Sequence, residues 1–385
     1  MSKIFMFVNV DWFFLSHRLP IAMVAAERGI QMTVFSEFTK KHNDTYKGFV
    51  FRNSPFKRKY KNIYYSCIEL FKTFLLIRRE RPDVIHAVTI KPIIFLGIIC
   101  FILRIPFIGS ISGLGPAFTS NSFKGKARLF VIKLIYKIIF SPKKVRVICQ
   151  SSHDAQALID NNLVLENKIT MTEGSGVDLE EYKPKKDRAS KQINILMASR
   201  LLVDKGVQEY CNAAGAVQKK YDFNAQFSLA GPVDALSPGY LSEDQVTKLC
   251  ESNNIKFIGK RNDLKIILSE TDIFVLPSYY GEGIPKVLIE AASSGCAIIT
   301  TDHPGCRDAI IPLETGILVP PKDSISIENA LKNFLSDLAL TKSMGSAGRQ
   351  LAIKRFCVKK VVDIHYSLYF VLLKSESEQP FKYSK

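Results

Sequence analysis

The chain has 385 residues, 47% of them apolar, and its 53 basic and 36 acidic residues give a net charge of +17. This length is too great for one ordinary compact domain and predicts two domains of comparable size, each with enough apolar residues for a buried core. The longest apolar stretch, Ile93–Leu103, has eleven residues, whereas about 20 are needed to cross a bilayer. No transmembrane helix is therefore predicted.

Most of the positive charge lies in the first part of the chain. Residues 1–146 contain 25 Lys or Arg and 7 Asp or Glu, so the rest of the chain is close to neutral. Such a bias predicts a negatively charged partner: nucleic acid, anionic lipid or a phosphorylated substrate. Nucleic acid is the least favoured of the three, because the sequence contains no helix-turn-helix, ribonucleoprotein motif or set of zinc ligands.

The eight cysteines are spread along the chain, and no two have the Cys-x-x-Cys spacing of a zinc site or a redox motif. They are expected to be buried thiols of a reducing compartment. The N-terminal segment Met1–Asp11 carries an early acid and no small-residue cleavage site. It is therefore predicted to be a buried first strand and not a signal peptide.

Short β-rich runs alternate with longer helical patterns, which is typical of parallel sheets with crossover helices. In the first part of the chain the predicted strands are Lys3–Asn9, Gln31–Phe35, Asp83–Ala87, Phe107–Ile111 and Val145–Gln150. The predicted helices between them are Leu19–Arg28, Ile63–Arg79, Pro92–Leu103 and Lys124–Phe140.

A second set of alternating elements follows. Its predicted strands are Ile193–Ala198, Ala225–Ala230, Ile255–Ile258, Ile273–Leu276, Ala297–Thr300 and Gly316–Val319. Its predicted helices are Val207–Tyr221, Asp244–Glu251, Leu264–Ser269, Pro285–Ser294 and Ser326–Phe334. The charged, turn-rich segment Tyr182–Arg188 separates the two sets and is predicted to be the linker.

We therefore predict an α/β protein of two Rossmann-like domains that face each other across a cleft. The N-terminal domain is predicted to span residues 1–181 and the C-terminal domain residues 190–360. Residues 361–385 are predicted to form a helix that packs back on the N-terminal domain, followed by a frayed tail. Because ligands of open α/β sheets bind beyond the carboxyl ends of the strands, residues that follow strands are the candidate site.

The most informative motif, GEGIPKVLIEA at residues 281–291, follows the predicted strand Ile273–Leu276. It predicts a glycine-flanked turn and then a helix opened by Pro285. The glycines let a ligand approach the backbone, and the free N–H groups at the helix start favour an anion such as a diphosphate. Glu282 and Glu290 are spaced to contact different parts of one ligand. An ordinary strand–helix connection with two solvated glutamates is the alternative.

A second motif, ASRLLVDKG at residues 198–206, follows the first strand of the second set. It places Arg200 and Lys205 between a strand end and the next helix, which is the usual position of a phosphate in these folds. Two cations there could neutralise a diphosphate and stabilise its charge as it departs. Taken alone, they could equally be surface charge.

Together these motifs resemble the C-terminal domain of family-4 glycosyltransferases, which are retaining enzymes of the GT-B fold. The matching runs, in the family's order, are Ala198–Gly206, Leu229–Pro232, Phe257–Gly259, Glu282–Glu290 and Pro304–Asp308. The subgroup that the chain most resembles is the bacterial enzymes that extend lipid-linked sugars in surface polysaccharide or glycan assembly. Asp11–Pro20 and Asp83–Ala87 resemble the N-terminal domain of the same subgroup.

The resemblance implies a role for each matched residue. Glu282 would contact hydroxyls of the donor sugar, and Glu290 would contact the ribose. His86 matches a family histidine near the reacting centre, although a structural histidine at a strand end fits the pattern equally well. The diphosphate would be held by two side chains and two backbone amides, those of Arg200, Lys205, Gly283 and Ile284.

In the N-terminal domain the resemblance implies that Asp11, His17 and Arg18 line the cleft, near the acceptor or the diphosphate. Many family members have a Gly-Gly loop after the first strand, and this chain departs from them with Asp11-Trp12-Phe13. No Asp-x-Asp triplet occurs in the sequence, so no metal ion and no other cofactor is expected. Arg200, Lys205 and the helix dipole are then expected to balance the leaving diphosphate.

Two basic segments of the N-terminal domain are candidates for binding a negatively charged partner. The predicted helix Lys124–Phe140 places Lys133 and Lys137 four residues apart on one face, and further lysines follow it. A basic, aromatic-flanked loop is also found at Phe56–Lys61. A basic amphipathic helix of this kind predicts attachment to anionic lipid headgroups. A core-packing helix with a solvated cationic edge fits the same pattern.

The sequence therefore predicts a retaining hexosyl- or N-acetylhexosaminyltransferase. Its donor is predicted to be a nucleotide sugar, in the first instance a UDP-sugar, and its acceptor a polyprenyl-diphosphate-linked saccharide. The enzyme would be peripheral on the inner face of the cytoplasmic membrane. Two alternatives stay open: a nucleotide-sugar 2-epimerase on the same fold, and a non-catalytic module that binds nucleotide sugars or membranes.

Overall fold

The structure is a computed structural model, and it describes residues 2–42, 45–46, 48–57, 63–114, 123–185 and 192–374. The chain divides into two compact units. Unit 1 comprises Met1–Ser175 together with Lys359–Lys385, and unit 2 comprises Gly176–Val358. Each unit is built on a sheet of its own.

The described strands of unit 1 are β1 Lys3–Val10, β2 Gln31–Glu37, β3 Thr45–Tyr46, β4 Phe49–Asn53, β5 Val84–Val88, β6 Phe107–Ile111, β7 Val145–Cys149 and β8 Ile169–Met171. They form one sheet in the order β3-β4-β2-β1-β5-β6-β7-β8. The described pairings are parallel, apart from the antiparallel pair β3–β4. The strand order reverses between β1 and β5, and this switch point is where ligands of such sheets bind.

The described helices of unit 1 up to its last strand are α1 Asp11–His17, α2 Leu19–Glu27, α3 Ile63–Glu80, α4 Ile90–Leu103, α5 Phe123–Ile139 and α6 Ser152–Asp160. The helices α3, α4 and α5 contribute to a core that is rich in aromatic rings. In that core Phe7 stacks on Phe35, with ring centroids 4.5 Å apart. At the end of α5, the ammonium group of Lys168 donates to the carbonyls of Phe140, Ser141 and Pro142.

The described strands of unit 2 are β9 Ile193–Ala198, β10 Ala225–Ala230, β11 Lys256–Phe257, β12 Ile273–Leu276, β13 Ala297–Thr301 and β14 Gly316–Val319. They form a parallel sheet in the order β11-β10-β9-β12-β13-β14, whose switch point lies between β9 and β12. Its helices include α7 Val207–Lys220, α8 Glu243–Ser252, α9 Leu264–Ser269, α10 Lys286–Ser293, α11 Pro304–Arg307, α12 Ser324–Ser336 and α13 Leu338–Arg355.

The last described helix, α14 Val358–Leu373, belongs to unit 1 from Lys359 onward. Its buried residues Val361, His365, Tyr369 and Leu372 recur at helical spacing and form one stripe. Residues 375–385, predicted to be a frayed tail, lie outside the described residues. So do residues 58–61 of the basic loop and residues 186–188 of the predicted linker.

The predicted alternation of strands and helices is confirmed, with some elements missed. Helix α13 was not predicted, because four of its six buried residues, Thr341, Gly345, Gly348 and Ala352, are small and obscure the apolar period. The small size is required at Gly345, where a side chain would collide with the carbonyl of Gly295. Helix α10 begins at Lys286, and Pro285 is its N-cap residue and not, as predicted, its first helical residue. In the part of the chain described here, no helix has both the length and the apolar character needed to cross a membrane.

Candidate active site

The cations and the first carboxylate predicted in unit 2 meet where β9 and β12 end. Arg200 follows β9 directly, and Lys205 closes the short 3-10 turn Val203–Lys205. Glu282 lies on the loop after β12 and accepts a hydrogen bond from the ammonium group of Lys205. Lys205 is only 5% exposed. A buried ammonium group that faces one carboxylate is held at a defined point, as a group that contacts a ligand phosphate must be.

A tyrosine that the sequence analysis did not single out lies against both cations. The Arg200 guanidinium carbon is 5.3 Å from the centroid of the Tyr280 ring, and the Lys205 ammonium nitrogen is 5.0 Å from it. Both distances are within the range of cation–π attraction. Tyr280 was missed because it carries no charge and stands two residues before the conspicuous glutamate.

Arg200 is oriented by the loop that follows β10. Its Nη1 donates to Asp234 Oδ2 over 3.0 Å and to Ser237 Oγ over 3.1 Å. Burial alone lowers the pKa of the guanidinium, but Tyr280 and Asp234 outweigh that effect and raise the pKa above its usual value. The charge of Arg200 is therefore permanent, and its direction is set by neighbours.

The backbone joins the two loops that carry these side chains. The amide of Tyr279 donates to the carbonyl of Asp204 over 2.9 Å, next to Lys205. Gly206 has a φ of +78°, and a side chain there would collide with the carbonyl of Pro277. The turn after β9 thus packs directly on the loop after β12, which only glycine permits at that point.

Glu290 lies on α10, the helix that follows the loop with Glu282. Its carboxylate accepts a hydrogen bond from Lys286, one helical turn earlier, and the Lys286 ammonium nitrogen lies 5.5 Å from the centroid of the Tyr182 ring. Burial and the nearby Glu290 carboxylate raise the pKa of the Tyr182 hydroxyl. The predicted pair Glu282 and Glu290 therefore shares a local pattern, in which each carboxylate binds a lysine that lies over a tyrosine ring.

The two predicted amides lie in the connection to α10. Ile284 is buried in the core of unit 2, which anchors this connection. A side chain on Gly305, in the short helix α11 that follows β13, would collide with the carbonyls of Glu282 and Gly283. The carbonyls at positions 282 and 283 thus face Gly305, and the backbone of the predicted diphosphate cradle has a close-packed support.

His86 lies inside β5 and is fully buried. Its Nδ1 is 2.7 Å from the hydroxyl of Tyr369 on α14, and its Nε2 is 2.7 Å from the hydroxyl of Ser110 on β6. The ring of His365 lies 5.6 Å away. These contacts make His86 a link between the sheet of unit 1 and α14. Its catalytic role stays a prediction.

Arg18 is also fully buried, between α1 and α2. Its Nη2 donates to Ser112 Oγ over 3.3 Å, and, with its amide turned to face the guanidinium, Gln150 accepts from the same nitrogen over 2.8 Å. Ser112 and Gln150 follow β6 and β7, so Arg18 lies at the carboxyl edge of the sheet. Burial lowers the pKa of Arg18 to about 10. The guanidinium is enclosed by protein groups, and its predicted role near the acceptor or the diphosphate stays a prediction.

Asp11 opens α1 at the end of β1, and its carboxylate is occupied by a neighbouring loop. It accepts hydrogen bonds from the amide and the hydroxyl of Thr39, both over 2.7 Å, and from Nε2 of His42 over 2.8 Å. Burial raises the pKa of Asp11, but these hydrogen bonds outweigh it, and the net pKa is lowered. His17 stacks on Phe13 on the same helix, with ring centroids 4.1 Å apart.

The structure therefore brings predicted residues together in unit 2. In unit 1 it places Arg18 near His86, whereas Asp11 and His17 have partners of their own. Arg200, Lys205 and Glu282 form the group of unit 2, with Glu290 further along α10. In the described ranges, no three His, Cys, Asp or Glu side chains are grouped so that they could hold a metal ion. The expectation of a metal-independent enzyme stays a prediction.

A parallel α/β sheet with two cations beside its switch point is the arrangement by which proteins of the Rossmann type bind phosphorylated ligands. Comparison with known families gives the class. Residues 178–351 match glycosyl transferases group 1, and residues 3–151 match the family described as glycosyl transferase 4-like. The chain thus belongs to the glycosyltransferases and combines these two domains.

Curated relatives cover most of the chain. An N,N'-diacetylbacillosaminyl-diphospho-undecaprenol alpha-1,3-N-acetylgalactosaminyltransferase of Campylobacter jejuni is 28% identical over 89% of this chain and 93% of that protein. A UDP-Gal:alpha-D-GlcNAc-diphosphoundecaprenol alpha-1,3-galactosyltransferase of Escherichia coli is 28% identical over 79% of this chain and 78% of that protein. The prediction of a glycosyltransferase is confirmed.

Solved structures confirm the fold. Sucrose-phosphate synthase of Thermosynechococcus elongatus has a TM-score of 0.77 at 20% identity and covers 97% of this chain and 99% of its own. Anabaena HepE in complex with UDP and glucose has a TM-score of 0.76 at 19% identity and covers 96% of this chain and 100% of its own. The predicted GT-B fold class is therefore correct.

Proposed function

We propose that this protein transfers a hexose or an N-acetylhexosamine, with retention of configuration, from a UDP-sugar to a polyprenyl-diphosphate-linked saccharide. It acts without a metal ion, as a peripheral protein on the cytoplasmic face of the bacterial membrane. The observation that carries the proposal is the group formed by Arg200, Lys205 and Glu282 at the switch point of the unit 2 sheet.

The chemistry of that group suits the departure of a nucleoside diphosphate. Arg200 and Lys205 supply two positive charges, and the start of α10 adds backbone N–H groups and the helix dipole. Negative charge that develops on the diphosphate oxygen is stabilised there by groups that are already oriented. Glu282 contacts Lys205, and we expect its carboxylate to accept hydrogen bonds from hydroxyls of the sugar that the diphosphate carries.

The transfer step that we propose is a front-face displacement. The bond from the anomeric carbon to the diphosphate oxygen breaks, and a bond from the same carbon to an acceptor hydroxyl oxygen forms on the same face. The proton of that hydroxyl passes to the departing diphosphate, so no enzyme carboxylate becomes covalently bound. Lys205 and Arg200 then hold the diphosphate product until it leaves.

The acceptor is proposed from the relatives. The names of the Campylobacter and Escherichia enzymes both describe α-1,3 transfer to a sugar on diphospho-undecaprenol, and the second names UDP-Gal as its donor. Formation of an α-linked product from an α-linked nucleotide sugar is retention. These names support a lipid-linked acceptor and a UDP-sugar donor for this chain.

The surface of unit 1 supports attachment to a lipid bilayer. Helices α3, α4 and α5 are neighbours, because α4 contacts both of the others. They expose an unusual number of large apolar side chains for a surface in water. The exposed ones are Tyr64, Tyr65, Phe71 and Leu75 on α3, Phe101 and Ile102 on α4, and Phe130, Val131, Leu134 and Ile138 on α5.

Most charges on these helices are positive, and of the exposed cations Arg79 is paired with Glu80 over 3.3 Å. The exposed cations are Lys72, Arg78, Arg79, Lys126, Arg128 and Lys137. The acids of the three helices are Glu69 and Glu80, and both are paired, with Lys91 over 3.0 Å and with Lys3 over 2.9 Å. Apolar side chains between exposed cations are the pattern of a segment that lies in the interface of an anionic bilayer.

The enzymatic proposal is tested by incubating the protein with UDP-sugars and a short-chain polyprenyl-diphosphate sugar, with chelator present. Transfer with an α-linked product, determined by NMR, is the expected result. Lys205→Ala and Glu282→Ala should abolish transfer while the circular dichroism spectrum stays that of the native protein. A product that forms only after a divalent ion is added would refute the metal-independent mechanism.

Membrane attachment is tested by flotation with vesicles that contain anionic lipid, at physiological salt. The double variant Phe130→Ser/Leu134→Ser is expected to lose most of its binding, whereas Ile325→Ser, an exposed apolar residue of unit 2, should bind like the native protein. Equal binding of the two variants would count against this surface. A native protein that dimerises through this face and ignores vesicles would count against the bilayer as its partner.

A further inference from the structure

We infer that Tyr280 is a positioning residue, whose ring sets the spacing of Arg200 and Lys205 for the donor diphosphate. The inference rests on the proposed function, because it concerns the binding of the same leaving group. Tyr280 belongs to neither of the charged motifs in which the resemblance placed the donor-binding residues.

The ring is shared by the two cations, whereas their other partners differ. Arg200 is bound on one side by Asp234, over 3.0 Å, and Lys205 on the other by Glu282. Tyr280 lies 5.3 Å from the first cation and 5.0 Å from the second. The face of an aromatic ring attracts both positive charges, which would otherwise repel each other. The ring is thus a partner that the two cations have in common.

The ring is itself fixed by its backbone. The amide of Tyr280 donates to Ser278 Oγ over 3.3 Å, and its carbonyl accepts from the amide of Glu282 over 2.9 Å. One residue earlier, the amide of Tyr279 is bound to the carbonyl of Asp204. Tyr280 therefore has a set position relative to the turn that carries Lys205 and to the glutamate that binds it.

Removal of the ring has a specific expected effect. Arg200 would then be held by Asp234 and Ser237, and Lys205 by Glu282, so each cation would follow its own partners. The pair would then be spread apart and no longer matched to two adjacent phosphates. Contacts to the base and the ribose do not involve these cations and should be unchanged. The loss should therefore appear with diphosphate ligands and not with the nucleoside.

The experiment compares UDP with uridine in titration calorimetry and NMR titration, and inorganic pyrophosphate serves as a ligand without a base. We expect Tyr280→Leu to bind UDP and pyrophosphate about five- to tenfold more weakly than the native protein. Its affinity for uridine should stay within about twofold of that of the native protein. Tyr280→Phe keeps the ring and loses only the hydroxyl, which hydrogen-bonds with Arg200, so its losses with UDP and pyrophosphate should be smaller than those of Tyr280→Leu.

A matched control is available in the adjacent residue. The ring of Tyr279 lies 4.8 Å from the ammonium nitrogen of Lys322 and has no such contact with Arg200 or Lys205. Tyr279→Leu removes a tyrosine from the same loop, so it reports any general effect of loosening that loop. The ratio of UDP affinity to uridine affinity should be native in this variant. In transfer assays Tyr280→Leu should raise the donor KM by more than it lowers kcat.

Three results would overturn the inference. They are an unchanged UDP affinity in Tyr280→Leu, an equal loss of UDP and uridine binding, or the same loss in Tyr279→Leu. The first two results would show that the Tyr280 ring has no selective effect on diphosphate binding. The third would show that the loss of binding comes from loosening the loop. A native protein that binds neither UDP nor pyrophosphate would refute the proposed donor site and this inference with it, and the native protein alone reveals that outcome.

Discussion

Asp234 Oδ2 lies 3.0 Å from Nη1 of Arg200 and also accepts a hydrogen bond from Ser237 over 2.7 Å. One carboxylate oxygen therefore fixes a hydroxyl and a guanidinium together. The Arg200 guanidinium also faces the Tyr280 ring. The contacts of Arg200 thus depend on the planar shape of its guanidinium group as well as on its charge. A lysine side chain has the charge but not this shape.

Arg200→Lys tests this dependence on shape. Since the charge is kept and only the fork is lost, we expect kcat/KM for the donor to fall about tenfold or more, which corresponds to about 1.4 kcal/mol. Steady-state transfer assays at varied UDP-sugar concentration provide the measurement. Arg261→Lys, at a solvent-exposed arginine of unit 2 paired with Asp263, should be close to native. Equal activity in the two variants would show that charge alone is sufficient.

Because Lys205 contacts Glu282, we expect substitutions of the two residues to have non-additive effects on kcat/KM. Lys205→Met should lower kcat/KM about 100-fold or more, because a preorganised cation at a leaving group contributes a few kcal/mol. Glu282→Gln should be impaired as well. The double variant should lose less than the product of the two single losses, since each single change leaves one charged partner alone. A matched pair is Lys220 and Glu328, joined over 2.8 Å, whose removal should leave activity unchanged.

The buried histidines of unit 1 predict sensitivity to acid. Burial, reinforced by Arg18, lowers the pKa of His365 to about 3, and burial and His365 also lower that of His86. In the unfolded chain both titrate near pH 6.5. Below that pH the unfolded chain takes up protons that the folded chain does not bind. The free energy of unfolding should therefore be level above about pH 6.5 and decline below it, by up to about 1.4 kcal/mol per pH unit for each histidine.

Urea denaturation at pH 7.5 and pH 5.5 measures this decline. In His365→Phe the difference between the two pH values should be smaller than in the native protein by about 1 kcal/mol. His153→Phe changes an exposed histidine of the same unit and should leave the difference unaltered. An identical pH dependence in all three proteins would mean that His365 does not resist protonation in the folded chain.

Replacement of Lys168 should destabilise the protein strongly, because its side chain holds the end of α5. Its ammonium group donates to three carbonyls, those of Phe140, Ser141 and Pro142, over 2.8–3.0 Å. Lys168→Met keeps the length of the side chain but leaves these acceptors without their donor. We expect the free energy of unfolding to fall by about 2–4 kcal/mol. Lys144→Met, at an exposed lysine nearby, should change it by less than about 0.5 kcal/mol.

Much of the fold follows from local patterns. Apolar runs such as Ile193–Ala198 and Ile273–Leu276 have the length of buried strands, and the structure confirms both with the same bounds. The anion-binding loop could be predicted because glycines, a proline and a glutamate stand in one short segment. Arg200, Lys205 and Glu282 were identified because each follows a strand, and parallel strands bring such residues to one edge of a sheet.

The sequence by itself determined which charged residues follow the strands of the unit 2 sheet. Only the tertiary structure decided which neighbouring side chains orient them. Tyr280 and Asp234 contact Arg200 across 80 and 34 positions of the chain, and no local period records such a contact. His86 shows the same limit: its motif left a catalytic and a structural reading open, whereas its contacts with Ser110 and Tyr369 come from packing of β5 against β6 and α14. Local patterns reflect short-range geometry, but burial and hydrogen-bond partners are set by distant segments that meet only in the folded chain.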